Sequence, residues 1–280
     1  MKLISFRRCG QISYGAILDD RIADLGSLAG PDAKDLISAI RQNVIAELAQ
    51  RAAFDIPAED VELLPVVPNP GKIFCVGHNY ETHRQETGRA KVAYPSIFTR
   101  FADTLTPHRG PIVRPASSTM LDYEGELAII IGKAGRHIAE ADAMAHIAGF
   151  TCANDASVRD WQWHTQQFTP GKNFPATGAL GPWLVTPDEI TDLDAVTVTT
   201  RLNGQQVQHA SLADLIFPLP TIIAYLSAFT PLSPGDLILT GTPGGVGAKR
   251  EPPLWMKAGD VIEVEIAGVG LLSNTVTDEA

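Results

Sequence analysis

Cysteine is scarce in this 280-residue chain, with only Cys9, Cys75 and Cys152. No two of them stand at a metal-ligand or redox spacing, so neither a disulfide framework nor a zinc cluster organises the fold, and the thiols read as those of a reducing compartment. Long apolar runs are lacking too. The longest, such as Leu127 to Ile131, fall far short of the roughly 18–20 residues that a membrane span requires. The opening Met1-Lys-Leu-Ile-Ser-Phe-Arg-Arg has charge but no apolar h-region, so no secretory signal is expected and the cytoplasm is the expected location. Basic charge is in deficit: 22 Lys and Arg face 32 Asp and Glu, a net charge of −10. No basic stripe exists to follow a phosphate backbone, which argues against a nucleic-acid partner. Several catalytic signatures are missing as well. There is no Gly-x-Gly-x-x-Gly opening a helix, no Walker loop, no Gly-x-Ser-x-Gly elbow and no His-Glu-x-x-His. Dinucleotide folds, serine hydrolases of the elbow type and zinc proteases lose their support.

What is present is ordinary globular material, 45% apolar and 19% charged, enough for one large domain or a large and a small one. Alternation in Lys2–Phe6 and Ser13–Leu18 predicts two short strands, and Leu36, Ile40, Val44 and Leu48 predict a helix within 33–53. Three prolines between Pro65 and Pro70 forbid helix and favour an extended linker. The expected division is a small N-terminal α/β domain with its linker at 1–68 and a catalytic domain at 69–280. The second part reads as mostly strands: Ile73–Val76, Asp122–Ile131, Phe150–Ala153, and a hairpin around Asn203-Gly204. Helices are expected at Ala139–Ile147, from a Ser157 cap through Gln167, and over Leu212–Phe229, bent by Pro218 and Pro220.

The sharpest chemical signal is Asp122-Tyr123-Glu124-Gly125-Glu126, running into an apolar strand. In a strand, residues i and i+2 share a face, which puts Glu124 and Glu126 side by side with Cα atoms about 6.5–7 Å apart. Two ionised carboxylates entering a core need a strongly positive compensation, and oxygen donors suit Mg²⁺, Mn²⁺ or Ca²⁺. The pattern also fits an edge strand with a solvated Glu face. Asp155, between a strand and a helix, is a candidate third ligand or simply a helix cap. Arg159 and Gln162, at i and i+3, can orient a carboxylate or pair at the surface. His83 and Glu86 adjoin on a helical turn, a base with an orienting carboxylate, although surface helices carry this pattern often. Lys172 sits in a loop where a cation could stabilise an enolate. The loop Thr240-Gly-Thr242-Pro-Gly-Gly-Val-Gly247 offers backbone N–H groups to an anion.

In order, these segments resemble the fumarylacetoacetate hydrolase family. The matching blocks are Lys72-Ile-Phe-Cys-Val-Gly77 with Asn79-Tyr80, His83 and Glu86; Asp122-Tyr-Glu124-Gly-Glu126-Leu; Asn154-Asp155-Ala-Ser-Val-Arg159-Asp160; Gly171-Lys172; Leu180-Gly181-Pro182-Trp183; and Pro234-Gly-Asp236 with 240–247. The resemblance covers about residues 72–275. It implies an α+β, predominantly β fold, a mixed β-sandwich roll, and a homodimer. It further implies Mg²⁺ or Mn²⁺ (Ca²⁺ being possible) on Glu124, Glu126 and Asp155, a water-activating dyad of His83 and Glu86 on a lid, Lys172 and Gln162 beside an enolate, and Tyr80, Arg159 and Thr242 at the substrate. The expected activity is hydrolysis of a C–C bond in an acylpyruvate-type 2,4-dioxo acid, as in aromatic catabolism. Alternatives are a 2-oxo acid decarboxylase, an enol–keto isomerase of the 2-hydroxyhepta-2,4-diene-1,7-dioate type, or a non-catalytic ligand-binding protein. Two departures stand out. Pro175 follows where relatives often have Asp after the lysine, which is expected to alter the wall beside it. His78 replaces an apolar or basic residue.

Overall fold

The computed structural model describes residues 1–280. Strands dominate, and the fold is α+β with the sheets as its body. The central sheet is mixed and twelve-stranded. Its core strand, Gly125–Ile131, is buried along its whole length, so both of its faces are apolar, as a strand covered on two sides requires. It pairs antiparallel with Ile147–Asp155 on one flank and Leu237–Leu239 on the other. Leu237–Leu239 runs parallel to Ile73–Gly77, which pairs with Ser96–Thr99 at the edge. On the other flank Ile147–Asp155 pairs with Gly178–Val185, and that strand with Lys2–Arg8.

The side chains of the core strand alternate between two hydrophobic clusters. Leu127, Ile129 and Ile131 pack with Val198, Val264 and Leu272 of a second, five-stranded sheet. Ala128 and Ile130 face the opposite way, against Leu36, Ala39 and Leu48 of the N-terminal helices. The N-terminal strands therefore extend the same sheet while their helices cover one of its faces. The proline-rich connection is extended and packed down: Val66 and Val67 are fully buried, and Ser5 Oγ donates to Val66 O at 2.9 Å.

Several local expectations change. The helix expected across 33–53 is two helices, Leu36–Gln42 and Ile45–Arg51. Asn43 separates them in the left-handed conformation (φ 56°), and its N–H closes the first. Pro218 and Pro220 do not bend a long helix. They start one, Leu219–Phe229, where a missing N–H is harmless. Glu140–His146 is a 3-10 helix. Ser157 caps nothing; its hydroxyl donates to Asp155 O, and the helix beyond it spans only Arg159–Gln162. The Asn203-Gly204 turn is as expected, both residues having positive φ between paired strands Thr197–Leu202 and Gln205–Ser211. No helix is long and apolar enough to cross a membrane.

His108 ties the second sheet to the loop before Pro111–Arg114, its Nδ1 accepting from Ser273 N at 3.1 Å. Burial, with Arg109 adding to it, lowers the imidazole to about 4, so the folded chain holds it neutral. The unfolded chain takes up that proton near pH 6.5. The resulting stability is complete above pH 6.5 and is lost progressively as pH falls toward 4. His108→Asn, which keeps an acceptor for Ser273, is expected to shrink the loss of stability across that window in denaturant titrations at stepped pH.

Candidate metal centre and active site

The site forms where the core strand begins. Glu124 lies just outside the regular strand Gly125–Ile131, and Glu126 inside it. Glu124 is locked by its neighbours: its N–H donates to Asn154 Oδ1 at 2.9 Å, and its carbonyl accepts from Asp155 N at 2.8 Å. The end of Ile147–Asp155 thereby brings Asp155 against both glutamates. Ligand oxygens of Glu124, Glu126 and Asp155 all lie within 4.8 Å of one another, and all three residues are buried. Strand alternation alone did not achieve this, since Glu124 is positioned by the bonds to Asn154 and Asp155.

Buried acids need positive partners. Lys172 Nζ lies 2.7 Å from Glu124 Oε2 and 2.6 Å from Asp155 Oδ2. Arg159 Nη1 reaches Glu124 Oε1 at 2.7 Å, while its Nε donates to Asp122 Oδ2 at 2.8 Å. Arg100, wholly buried, pairs with Asp155 Oδ1 from behind and also donates to Ala156 O. Burial would push Glu124 up, but Lys172 and Arg159 outweigh it and hold the carboxyl well below the usual range. Burial equally opposes the charge on Lys172, yet Asp155 and Glu124 raise it above its ordinary value. Glu126 has no such partner. Burial, then Asp155 and Glu124, push it well above the usual range, and its one hydrogen bond is from Gly241 N at 2.7 Å. This donor set fits a hard divalent cation: three converging carboxylates, one of them lacking a cation.

The dyad stands on the helix Glu81–Glu86. His83 is buried, and its Nδ1 lies 3.1 Å from Glu86 Oε2. Nε2 is left to a cavity of about 150 Å³ that both glutamates also line. The glycine-rich loop holds this helix to the acids. Its N–H groups do receive anions, but the anions are the chain's own carboxylates. Gly241 donates to Glu126, Gly245 to Glu86 at 2.9 Å, and Gly247 and Ala248 to Asp122 at 2.7 and 3.1 Å. Gly245 has φ 105°, and a Cβ there would stand 2.2 Å from Val207 O, so no other residue fits.

Of the other expected site residues, Arg159, Gln162, Lys172 and Thr242 line the same cavity. Arg159 Nη1 holds Gln162 Oε1 at 2.8 Å, leaving the amide nitrogen of Gln162 available. Arg159 Nη2 is also taken up by the protein, 2.8 Å from Asp122 Oδ2, so the guanidinium is clamped between Asp122, Glu124 and Gln162. Thr242 spends its hydroxyl proton on Gly125 O and accepts from Gln208, so it braces the loop. Tyr80 is not brought to the cavity: it is fully buried and its hydroxyl has no partner. Pro175 does not reach the cavity wall either; it faces a shallow groove with Val113, Asp278 and Ala280. His78 does reach it, stacked on His83 with ring centroids 5.0 Å apart. Burial, then His83 and Arg89, lower it to about 3, which keeps it neutral.

Three contributors carried no sequence argument. Arg100 follows an edge strand, where a buried guanidinium has no local signal. Gln208, on the hairpin, accepts from Gly125 N and donates to Thr242 and Pro243, joining the Glu-Gly-Glu turn to the glycine-rich loop. Asp122 belongs to a quoted block, yet its anchoring of Arg159 and of residues 247–248 rests on contacts distant in sequence.

The chain is similar to known proteins along most of its length. The model of the family described as fumarylacetoacetate (FAA) hydrolase, C-terminal, matches residues 72–277. The human mitochondrial oxaloacetate tautomerase FAHD2A is 42% identical over 223 residues, 79% of this chain and 71% of its own length. The crystal structure of a fumarylacetoacetate hydrolase from psychrophilic Exiguobacterium antarcticum superposes with a TM-score of 0.85 at 33% identity, covering 100% of both chains. A maleylpyruvate hydrolase from Sphingobium sp. SYK-6, solved with manganese(II) and pyruvate, gives 0.82 at 30% identity, again over 100% of both.

Arg100→Lys keeps the charge behind Asp155 but loses the fork that also grips Ala156. Manganese affinity by calorimetry is expected to fall by about 10–100-fold, the usual effect of removing an outer partner of a ligand, while the melting temperature of the metal-free protein changes little.

Proposed function

The chain belongs to the fumarylacetoacetate hydrolase family, and on that footing we propose that it is a divalent-metal-dependent enzyme interconverting the enol and keto forms of a short 2-oxo acid. The observation that carries this reading is the buried His83, held at Nδ1 by Glu86, with its other nitrogen free toward a cavity floored by acids. At about 150 Å³, that cavity suits one molecule not much larger than benzene. The likeness to the human oxaloacetate tautomerase supports the same choice.

Each residue then has a defined task. Glu124, Glu126 and Asp155 would hold Mg²⁺ or Mn²⁺. A bound ion of this kind polarises a 2-oxo carbonyl and favours the adjacent enolate. The amide nitrogen of Gln162, whose oxygen Arg159 Nη1 fixes at 2.8 Å, donates to the substrate carboxylate, and the Arg159 charge on the cavity wall adds attraction. His83 Nε2 removes the proton from the carbon next to the 2-oxo group, and Glu86 stabilises the imidazolium that results. Lys172, kept protonated by its acid neighbours, lies where negative charge gathers on the enolate oxygen. His83 returns its proton to that oxygen to give the enol; the reverse sequence gives the keto form. Atoms balance without water.

Hydrolysis of an acylpyruvate C–C bond is the second reading. A wider cleft of about 450 Å³ adjoins the cavity and shares Gly77, His78 and Arg89 with it, room for an acyl arm. The maleylpyruvate hydrolase likeness favours it too, with His83 acting on water in place of carbon. The manganese-loaded protein given oxaloacetate and, separately, an acylpyruvate separates the cases. Rapid equilibration of enol with keto oxaloacetate supports the first, acid plus pyruvate from the acylpyruvate the second, and carbon dioxide release a decarboxylase. Absence of turnover in all would leave a binding protein. His83→Gln is expected to lower kcat by about 10²–10⁴-fold, the usual share of a general base, with manganese affinity unchanged. Full turnover in that variant removes His83 from its role.

A further inference from the structure

The charges around the cavity are not distributed evenly. On its floor every cation is engaged: Lys172 by Glu124 and Asp155, Arg159 by Asp122 and Glu124. At its rim stand two more cations, Arg89 and Lys249, both exposed and neither in an ion pair. The only carboxylates lining the cavity are Glu124 and Glu126, which belong to the floor. A substrate held at the floor by its 2-oxo carboxylate therefore presents its far end to two unpaired cations.

Both cations are placed by built structure. Arg89 follows the dyad helix, and its guanidinium lies over the Phe168 ring at 5.4 Å. Phe168 in turn meets His78 edge-on at 6.2 Å, and His78 stacks on His83. This row of rings sets Arg89 beside the base. Lys249 ends the turn Gly247–Lys249, whose first two N–H groups are tied to Asp122, the same carboxylate that anchors Arg159. The backbone under Lys249 is thus fixed to the floor of the site.

We propose that Arg89 and Lys249 form a receptor for a second, distal carboxylate, so that the cavity takes 2-oxo dicarboxylic acids in preference to monoacids. This rests on the 2-oxo acid reading above and names the class of acid. A guanidinium can grip a carboxylate with two parallel hydrogen bonds, and the ammonium lining the same cavity adds a second positive charge. The stacking of Arg89 on Phe168 limits its freedom before the ligand arrives, which reduces the ordering cost on binding.

The test separates binding from turnover. Malate and lactate are unreactive 2-hydroxy acids that differ by one carboxylate, and each is titrated calorimetrically into magnesium-saturated protein. Malate is expected to bind at least 10-fold more tightly than lactate, and Arg89→Gln with Lys249→Gln to erase that preference without changing lactate affinity. Equal affinity of the two acids in the wild type, no binding of malate, or a preference that survives the double substitution overturns the proposal. For turnover, oxaloacetate is compared with its 4-methyl ester. Arg89→Gln is expected to raise KM for oxaloacetate about 10-fold or more, leaving kcat and the ester's KM as they were; an equal loss on both substrates overturns it. If malate preference is present and depends on Arg89 while neither substrate is turned over, the enol–keto reading fails and the dicarboxylate receptor stands.

Discussion

Concentrated negative charge in a water-poor interior is the constraint around which this molecule is arranged. Glu124, Glu126, Asp155 and Asp122 are all buried, against the three buried cations Arg100, Arg159 and Lys172. A buried carboxylate without a partner is costly enough to give up its charge. Glu126 is the one left over, pushed up by burial and by its acid neighbours. A divalent ion among these oxygens would turn a deficit of one positive charge into a surplus of one, which then favours an anionic substrate. Acidic overall composition and an anionic ligand are thus compatible, because the local field is set by the ion and the three cations.

The same constraint shapes the backbone. The loop 240–247 spends its N–H groups on Glu126, Glu86 and, with Ala248, on Asp122. It joins Glu126, Glu86 and Asp122, the partner of Arg159, through bonds of 2.7 to 3.1 Å. The glycines follow from that work: at Gly245 and Gly241, positive φ and close approach of Val207 O and Val76 O leave no place for a side chain. Gln208 completes the frame from the second sheet. Chemistry borne by three distant stretches of chain is held by one loop.

Around this frame the cavity is graded. Its floor pairs every cation with an acid and leaves Glu126 over, its middle carries Phe168 and the neutral ring of His78 stacked on His83, and its rim carries cations with no acid partner. His78, an unusual residue beside Asn79, belongs to the middle layer. Being neutral, it stacks on His83 without adding to the charge that His83 must acquire when it takes a proton.

Sequence by itself singled out the acids, the His83–Glu86 pair and the strands that bear them, while leaving a solvated edge strand, a helix cap and a surface helix as other readings of the same patterns. Glu124-Gly125-Glu126 running into five apolar residues, and His83 three residues before Glu86, are local patterns that spacing makes visible. The family resemblance also rested on residues in order along the chain. Tertiary structure alone decided which charges balance which. Arg100 lies 55 residues from Asp155, and Gln208 lies 83 from Gly125; no periodicity links them. It also decided that Thr242 braces a loop, that Tyr80 is sealed away from the cavity and that Pro175 faces a groove elsewhere. Local rules govern where a side chain leaves its own strand or helix, whereas its partner is chosen by the packing of segments that meet only when the sheets close.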